Sequence, residues 1–249
     1  MKKINIFCFG FGQVAKNFIK KINTEKFSIN LSVTTREQSK AKQFNEIKYN
    51  NFIFNDEIFD NGLIENLKNS DHILISIPPI NGKDIVIKYF GEVIKECNPK
   101  WITYLSATSV YGDHKGEWVN EESETNPKST SGIGRLEAEK SWITFTANSK
   151  LPFQIFRLSG IYSNQKNILV RLKSGNVNLI NKKNQFFSRI HVEDIANVLF
   201  KSLSNFKTGE IYNISDDKPA SMEEVTLYGV KLLNVDIPKV IEVKDIDSE

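Results

Sequence analysis

Two glycines and an alanine are the first residues whose spacing carries chemistry. In INIFCFGFGQVAKNFIKKI, Gly10, Gly12 and Ala15 form G-x-G-x-x-A, after an apolar run and at the mouth of a segment with helical periodicity. Gly10 suits a tight turn, Gly12 lets the backbone approach a pyrophosphate, and Ala15 is small enough for close helix–sheet packing. The helix would begin at Gln13 and Val14, whose backbone N–H groups carry the partial positive charge that phosphates favour. A glycine turn that only packs strand to helix is the competing reading. The position, after a strand and before a helix, favours a dinucleotide.

The end of the second strand selects the dinucleotide. A NAD site usually places Asp or Glu there, on the ribose 2′-OH. Here LSVTTREQSKAK supplies Thr34, Thr35 and Arg36, with the first acid, Glu37, one position later. Hydroxyls and a guanidinium suit a 2′-phosphate. The expectation is NADP, with NAD possible and Arg36 as an ordinary first-turn residue the alternative.

The elements that must position these residues alternate in type. Continuous apolar runs predict strands at 4–9, 29–35, 72–77, 101–106 and 153–159, with a weaker one at 49–54. Between them QVAKNFIKKI, IVIKYFGEVIKEC and GRLEAEKSWITFTANS recur at helical spacing. This alternation predicts an α/β fold, a Rossmann doubly wound parallel sheet. Beyond about residue 160 the pattern loosens into a helix at 167–173, a strand near 185–190, a helix at 192–203, a strand at 210–215 and a helix at 221–233. The tail 244–249 is expected to fray. Residues 1–160 read as the dinucleotide-binding domain and 161–249 as a small C-terminal substrate region interleaved with it.

Composition narrows the class. Of 249 residues, 33 are basic and 30 acidic, for a net charge of +3, and the lysines are scattered. That is no nucleic-acid footprint. No run of 18 apolar residues occurs, and the N-terminal apolar stretch is too short for a secretion signal, so a cytoplasmic protein without a membrane partner is expected. Cys8 and Cys97 have no metal-ligand spacing and read as small buried side chains. No other cluster has the spacing of a metal site. Trp101 and Trp142 fall on apolar faces, and Trp118 falls in a polar loop where it could wall a pocket.

WITYLSATSVYGDHKGEWVNEE (101–122) followed by GRLEAEKSW, with FRLSGIY (156–162) and SRIHVEDIA (188–196), resembles the extended short-chain dehydrogenase/reductase superfamily, specifically the NAD-dependent epimerase/dehydratase family. The resemblance covers about residues 3–235. The G-x-G-x-x-A turn, TTR, SIPP (76–79) and STSGIGRLEAE look more like an atypical subgroup. Membership implies a Rossmann fold with a small C-terminal substrate-binding region, a dinucleotide and a small-molecule substrate, in a monomer or homodimer. On that resemblance Ile77, Pro78, Ser106, Arg135 and Ser159 join Gly10, Gly12, Gln13, Val14, Ala15, Thr35 and Arg36 around the cofactor.

The family's chemistry uses Ser/Thr, Tyr and Lys, the last two as Y-x-x-x-K on a helix. Aligning Ala138 and Glu139 puts its tyrosine position at Ser131 and its lysine position at Arg135. Counting back from Tyr111-Gly112 puts the Ser/Thr position at Ala107, between Ser106 and Thr108. All three are altered. A phenol starts near a pKa of about 10 and a neighbouring ammonium lowers it, whereas a serine hydroxyl is a far weaker acid. Arg135 stays charged and cannot relay a proton, although with Arg189 it could bind an anion. Substitute catalytic groups are therefore Tyr111 first, beyond the fifth strand, then His191, since imidazole in general is the side chain suited to proton transfer near neutrality, with Thr108 beside them. The expected function is an NAD(P)-dependent oxidoreductase or epimerase-like enzyme acting on an anionic or sugar-nucleotide-like substrate. The alternative is a non-catalytic NADP(H)-binding sensor.

Overall fold

Buried β-branched and aromatic runs build the centre of the molecule. The computed structural model describes residues 3–37, 43–175, 177–181 and 185–242, so the tail expected to fray lies outside the described residues. The elements are β1 (Lys3–Phe9), α1 (Gln13–Thr24), β2 (Ser28–Thr35), β3 (Gln43–Phe44), β4 (Ile47–Ile53), α2 (Gly62–Lys68), β5 (His72–Ile75), α3 (Ile85–Cys97) and β6 (Trp101–Ala107). A 3-10 turn at Thr108–Val110 leads towards α4 (Thr130–Ser149) and β7 (Phe153–Leu158). Then come β8 (Gly160–Tyr162), α5 (Ile168–Lys173), β9 (Leu179–Asn181), β10 (Arg189–His191), α6 (Val192–Ser202), β11 (Ile211–Ile214), α7 (Met222–Leu233) and β12 (Val240–Glu242).

The main sheet runs β11-β7-β6-β5-β1-β2-β4-β3. Every pairing is parallel except β3 with β4. From β1 the chain lays strands to one side through β2 and β4, then crosses to β5 and builds outward to β11. Order therefore reverses between β1 and β5, and in doubly wound sheets ligands bind outside the carboxyl ends of the strands at that crevice. α1 and α6 cover one face of the sheet around Phe18, Ile19, Ile195 and Leu199. On the other, α2, α3 and α4 bury Leu63, Phe90, Ala138 and Trp142. Trp101 and Trp142 are fully buried, while Trp118 is 77% exposed.

Several elements depart from the sequence reading. The strand expected at 72–77 ends at Ile75, because Ser76 turns to bond the backbone of the preceding glycine turn. The strand expected at 185–190 shrinks to β10, since Phe187 pairs instead with Ala220 in an isolated bridge. α4 starts at Thr130, four residues earlier than its periodicity suggested, because the Ser129 hydroxyl caps it by accepting the Gly132 N–H at 3.1 Å. α2 escaped the periodicity reading. It is short, with only Leu63 and Leu67 buried.

One buried ion pair ties the carboxyl end of the sheet together. Arg157, 4% exposed on β7, donates from Nε and Nη2 to the Glu139 carboxylate of α4, the closest contact being 2.7 Å. Its Nη1 donates to the Tyr111 hydroxyl at 2.9 Å, and that hydroxyl donates to Asn213 Oδ1 on β11 at 2.7 Å. Glu121, from the loop preceding α4, accepts the Asn213 backbone N–H through Oε1 at 2.6 Å. Burial works against the Arg157 charge, but the bonds to Glu139 and Tyr111 outweigh it and raise its pKa above the ordinary arginine value.

Removing one partner of such a pair strands the other charge. Glu139→Gln is expected to destabilise the fold by about 3–5 kcal/mol in urea denaturation. Tyr111→Phe leaves two polar groups short of a partner and is expected to cost about 1–3 kcal/mol in the same measurement. An unchanged midpoint for both would show that the network carries no stability.

Candidate active site

The glycine turn sits at the β1–β5 crevice, and its geometry explains its residues. Gly10 has φ +90°, and a Cβ there would lie 2.7 Å from Ile77 Cγ2 and 2.8 Å from Ser76 Oγ. Only glycine meets both conditions. The turn is locked from two sides: the Gly10 N–H donates to Thr34 Oγ1 at 2.8 Å, and Ser76 Oγ bonds the carbonyls of Phe9 and Gly10. Gly12 is the N-cap of α1, no side chain caps that helix, and a Cβ on Gly12 would meet nothing within 4 Å. The first-turn N–H groups at Gln13, Val14 and Ala15 have no side-chain cap and no acid in that turn, and with the space above Gly12 this cradle fits a phosphate.

Around this turn the other expected cofactor residues are placed unevenly. Arg36 is exposed just past the carboxyl end of β2. The Thr35 hydroxyl is taken up locally, 2.7 Å from the Glu37 carbonyl and 3.1 Å from Asn51 Oδ1. Ile77 lies against Gly10, and Pro78 is exposed. Ser159 is buried and its hydroxyl donates to the Ile214 carbonyl at 3.0 Å, a bond that joins β7 to β11. Ser106 Oγ is buried with no hydrogen-bond partner among the described residues. Its Cα pairs with Arg157, so both side chains lie on the α4 face of the sheet.

At the positions aligned with the family's catalytic residues, Ala107 ends β6, and Ser131 is exposed with its Oγ 3.4 Å from Ser129 Oγ. Arg135 points back to the sheet: Nη1 donates to the Leu105 carbonyl at 2.6 Å and to the Tyr104 hydroxyl at 3.1 Å. Its guanidinium carbon is 5.7 Å from the Tyr104 ring centroid. Tyr104 is fully buried, and burial pushes its pKa far above the ordinary phenol value despite the cation, so it is no proton donor. Asp84 caps α3 nearby, accepting the N–H groups of Val86 and Ile87. Burial raises its carboxyl pKa against those bonds and against Trp142 and Arg135.

The residues expected from sequence as substitute catalytic groups are placed unequally. Tyr111 is 2% exposed, with its hydroxyl accepting from Arg157 and donating to Asn213. Its one proton is already engaged by Asn213 Oδ1. Thr108 opens the 3-10 turn and gives its carbonyl to the Tyr111 N–H. His191 is the N-cap of α6, its Nδ1 3.4 Å from the Glu193 N–H and its ring 5.1 Å from that of Tyr162. Together with Gln13 of the glycine turn it lines a cavity of about 220 Å³. Arg189, expected beside Arg135 as an anion anchor, donates instead to the carbonyls of Phe187 and Ala220.

Tyr104, Glu139, Arg157 and Asn213 escaped the sequence reading. A signal existed for two of them, since Arg157 interrupts an apolar strand and a buried charge demands a partner, which α4 supplies at Glu139. Among the described residues no helix is long and apolar enough to cross a membrane.

Known proteins match the chain from end to end in shape. A conserved protein of unknown function from Silicibacter pomeroyi DSS is 30% identical, with a TM-score of 0.86 over 98% of this chain and 84% of its own. A dTDP-glucose 4,6-dehydratase from Bacillus anthracis str. Ames, solved in complex with NAD, is 19% identical, with a TM-score of 0.77 over 96% of this chain and 84% of its own. A UDP-N-acetylglucosamine 4-epimerase from Methanobrevibacter ruminantium M1, in complex with UDP-N-acetylmuramic acid, is 16% identical, with a TM-score of 0.79 over 97% and 86%. No curated protein matches the sequence. The model of the NAD dependent epimerase/dehydratase family matches residues 89–215, from within α3 to just past β11. With about half of its length matched in sequence and its sheet order that of a Rossmann fold, the chain belongs to the NAD dependent epimerase/dehydratase family.

Proposed function

We propose that this chain binds NADP(H) in preference to NAD(H) and is an oxidoreductase or epimerase-like enzyme of unconventional proton handling, acting on a small polar substrate of the sugar-nucleotide type. The observation that carries the reading is the uncapped α1 N-terminus beside Gly10 and Gly12, open to solvent where the strand order reverses. Thr34, Ser76 and Ile77 hold the turn in the shape that receives a pyrophosphate. The preference for NADP is supported by Arg36, exposed just past the end of β2 with no carboxylate before it there. A bound nicotinamide would supply the hydride chemistry; the chain's own residues bind, orient and handle the proton. Arg135 keeps Nε and Nη2 for a ribose hydroxyl or an anionic group while Nη1 stays tied to β6, and the unpartnered Ser106 Oγ lies on that same face.

The proton is handled away from α4. Ser131 is too weak an acid, and Tyr111 is committed to Arg157 and Asn213. His191 is the remaining candidate. While its Nδ1 accepts the Glu193 N–H to cap α6, Nε2 carries the hydrogen. That cap is only a 3.4 Å contact, so the ring is less committed than the Tyr111 hydroxyl. The second reading, a dinucleotide-binding sensor without turnover, draws support from the burial of Tyr111 and the anchoring of Arg135.

Gly12→Val is expected to abolish binding of both NADPH and NADH in a nicotinamide fluorescence titration, because the side chain would fill the phosphate's place. Arg36→Ala is expected to weaken NADPH by about 1.5–3 kcal/mol and to leave NADH unchanged. Equal losses would remove the 2′-phosphate role. His191→Asn preserves a good helix cap but removes the imidazole, and kcat is expected to fall by about 10²-fold or more with stability unchanged. Full activity in that variant would sink the proton role of His191. Tight NADPH binding with no turnover across aldehydes, ketones and sugar nucleotides would select the sensor.

A further inference from the structure

The cavity shared by Gln13 and His191 has a chemistry of its own. It lies between α1, the 163–165 segment after β8 and the start of α6, lined among others by Asn17, Lys20, Asn164, Gln165 and Glu193. Its wall mixes donors and acceptors almost evenly. Primary amides offer both, His191 offers Nε2–H while its Nδ1 caps α6, and the Ser163 hydroxyl accepts the Lys166 N–H at 3.1 Å, which leaves its own hydrogen to give. Gln13, Asn164 and Gln165 make no side-chain hydrogen bond among the described residues. The wall carries one cation, Lys20, and one anion, Glu193. A bare anion would want donors only and would be repelled by Glu193, and a bare cation by Lys20. An apolar ligand would strand every amide in the wall.

We propose that this cavity is a binding site for an uncharged polyhydroxyl group, a single sugar ring or polyol, lying beside the phosphate turn and separate from the dinucleotide cleft. A hydroxyl is at once donor and acceptor, so a ring of hydroxyls matches this wall without net charge. Size agrees: pockets for drug-sized ligands run to about 300–1,000 Å³, and about 220 Å³ holds a single ring. Gln13 is both the first residue of α1, after the glycine turn, and a lining residue of the cavity, so ligands in the two sites would be neighbours. The link to turnover rests on the functional reading above; the binding does not.

Binding is read without catalysis. Nitrogen–proton correlation NMR of the whole chain saturated with NADPH would be titrated with methyl β-glucopyranoside and myo-inositol, then with inorganic phosphate and acetate. Saturable shifts of the side-chain amides of Asn17, Asn164 and Gln165 are expected with the polyols and not with the anions. Asn17→Leu and, separately, Asn164→Leu are expected to weaken the polyol by about five- to tenfold while NADPH affinity stays the same. UDP-glucose shifting the same amides at lower concentration would show that the sugar arrives on a nucleotide; glycoside alone doing so would show a free sugar, and both support the site. Shifts with phosphate only, no shift with either polyol, unaltered polyol affinity in both variants, or polyol binding abolished by NADPH would each overturn it. NADPH binding retained in Gly12→Val, with polyol shifts intact, would sink the cofactor reading alone.

Discussion

A guanidinium with 4% of its surface exposed has to be satisfied, and the carboxyl-end architecture is arranged around that demand. Arg157 reaches α4 through Glu139, the turn after β6 through Tyr111, and β11 through Asn213. Glu121 then fastens the intervening loop to the same strand. Buried pairs of this kind often add little over an apolar replacement, but they are costly to break and they fix relative placement. The rotation of α4 is set here, and with it the direction of Arg135, one turn earlier on the same helix. The position of β11 beside β7 is set by the same bonds and by Ser159.

The consequence at the site is a division of labour that residue types alone conceal. Tyr111 has the chemistry of a proton donor but serves Arg157. Arg135 has the chemistry of an anion anchor, yet two of its five N–H groups are held by β6. Arg189 is drawn into holding the 187–220 bridge. Each of these side chains is versatile in isolation, and each is partly committed once its neighbours are in place. What remains uncommitted is backbone, at the α1 N-terminus, and a cluster of neutral amides with His191 near it.

Belonging to a family of dinucleotide enzymes does not fix the chemistry, because function resides in the site and not in the fold. Here the cofactor half of the site keeps its geometric conditions: a left-handed glycine, an uncapped helix and open space above Gly12. Where the family resemblance leads one to expect catalytic residues, the sequence has Ala107, Ser131 and Arg135. The first half depends on backbone shape, which few residues can supply. The second depends on acidity, which a hydroxyl or guanidinium at the same place does not reproduce.

The sequence by itself determined the α/β fold and the phosphate turn. Both follow from local rules: continuous apolar runs make buried parallel strands, and Gly10 and Gly12 are demanded by a left-handed turn and a close approach that act within a few residues. It also put Ser131 and Arg135 where the family resemblance leads one to expect a tyrosine and a lysine, and acidity is a property of the residue type. Tertiary structure alone decided the partners. Nothing near Tyr111 in the chain announces Arg157 or Asn213, 46 and 102 positions away. Nothing near Arg135 announces Leu105. The end of β5 at Ile75, the shortened β10 and the cavity between Gln13 and His191 likewise depend on segments meeting from distant parts of the chain. A side chain's intrinsic chemistry is local, but the availability of its proton or charge is settled by whichever distant group reaches it first.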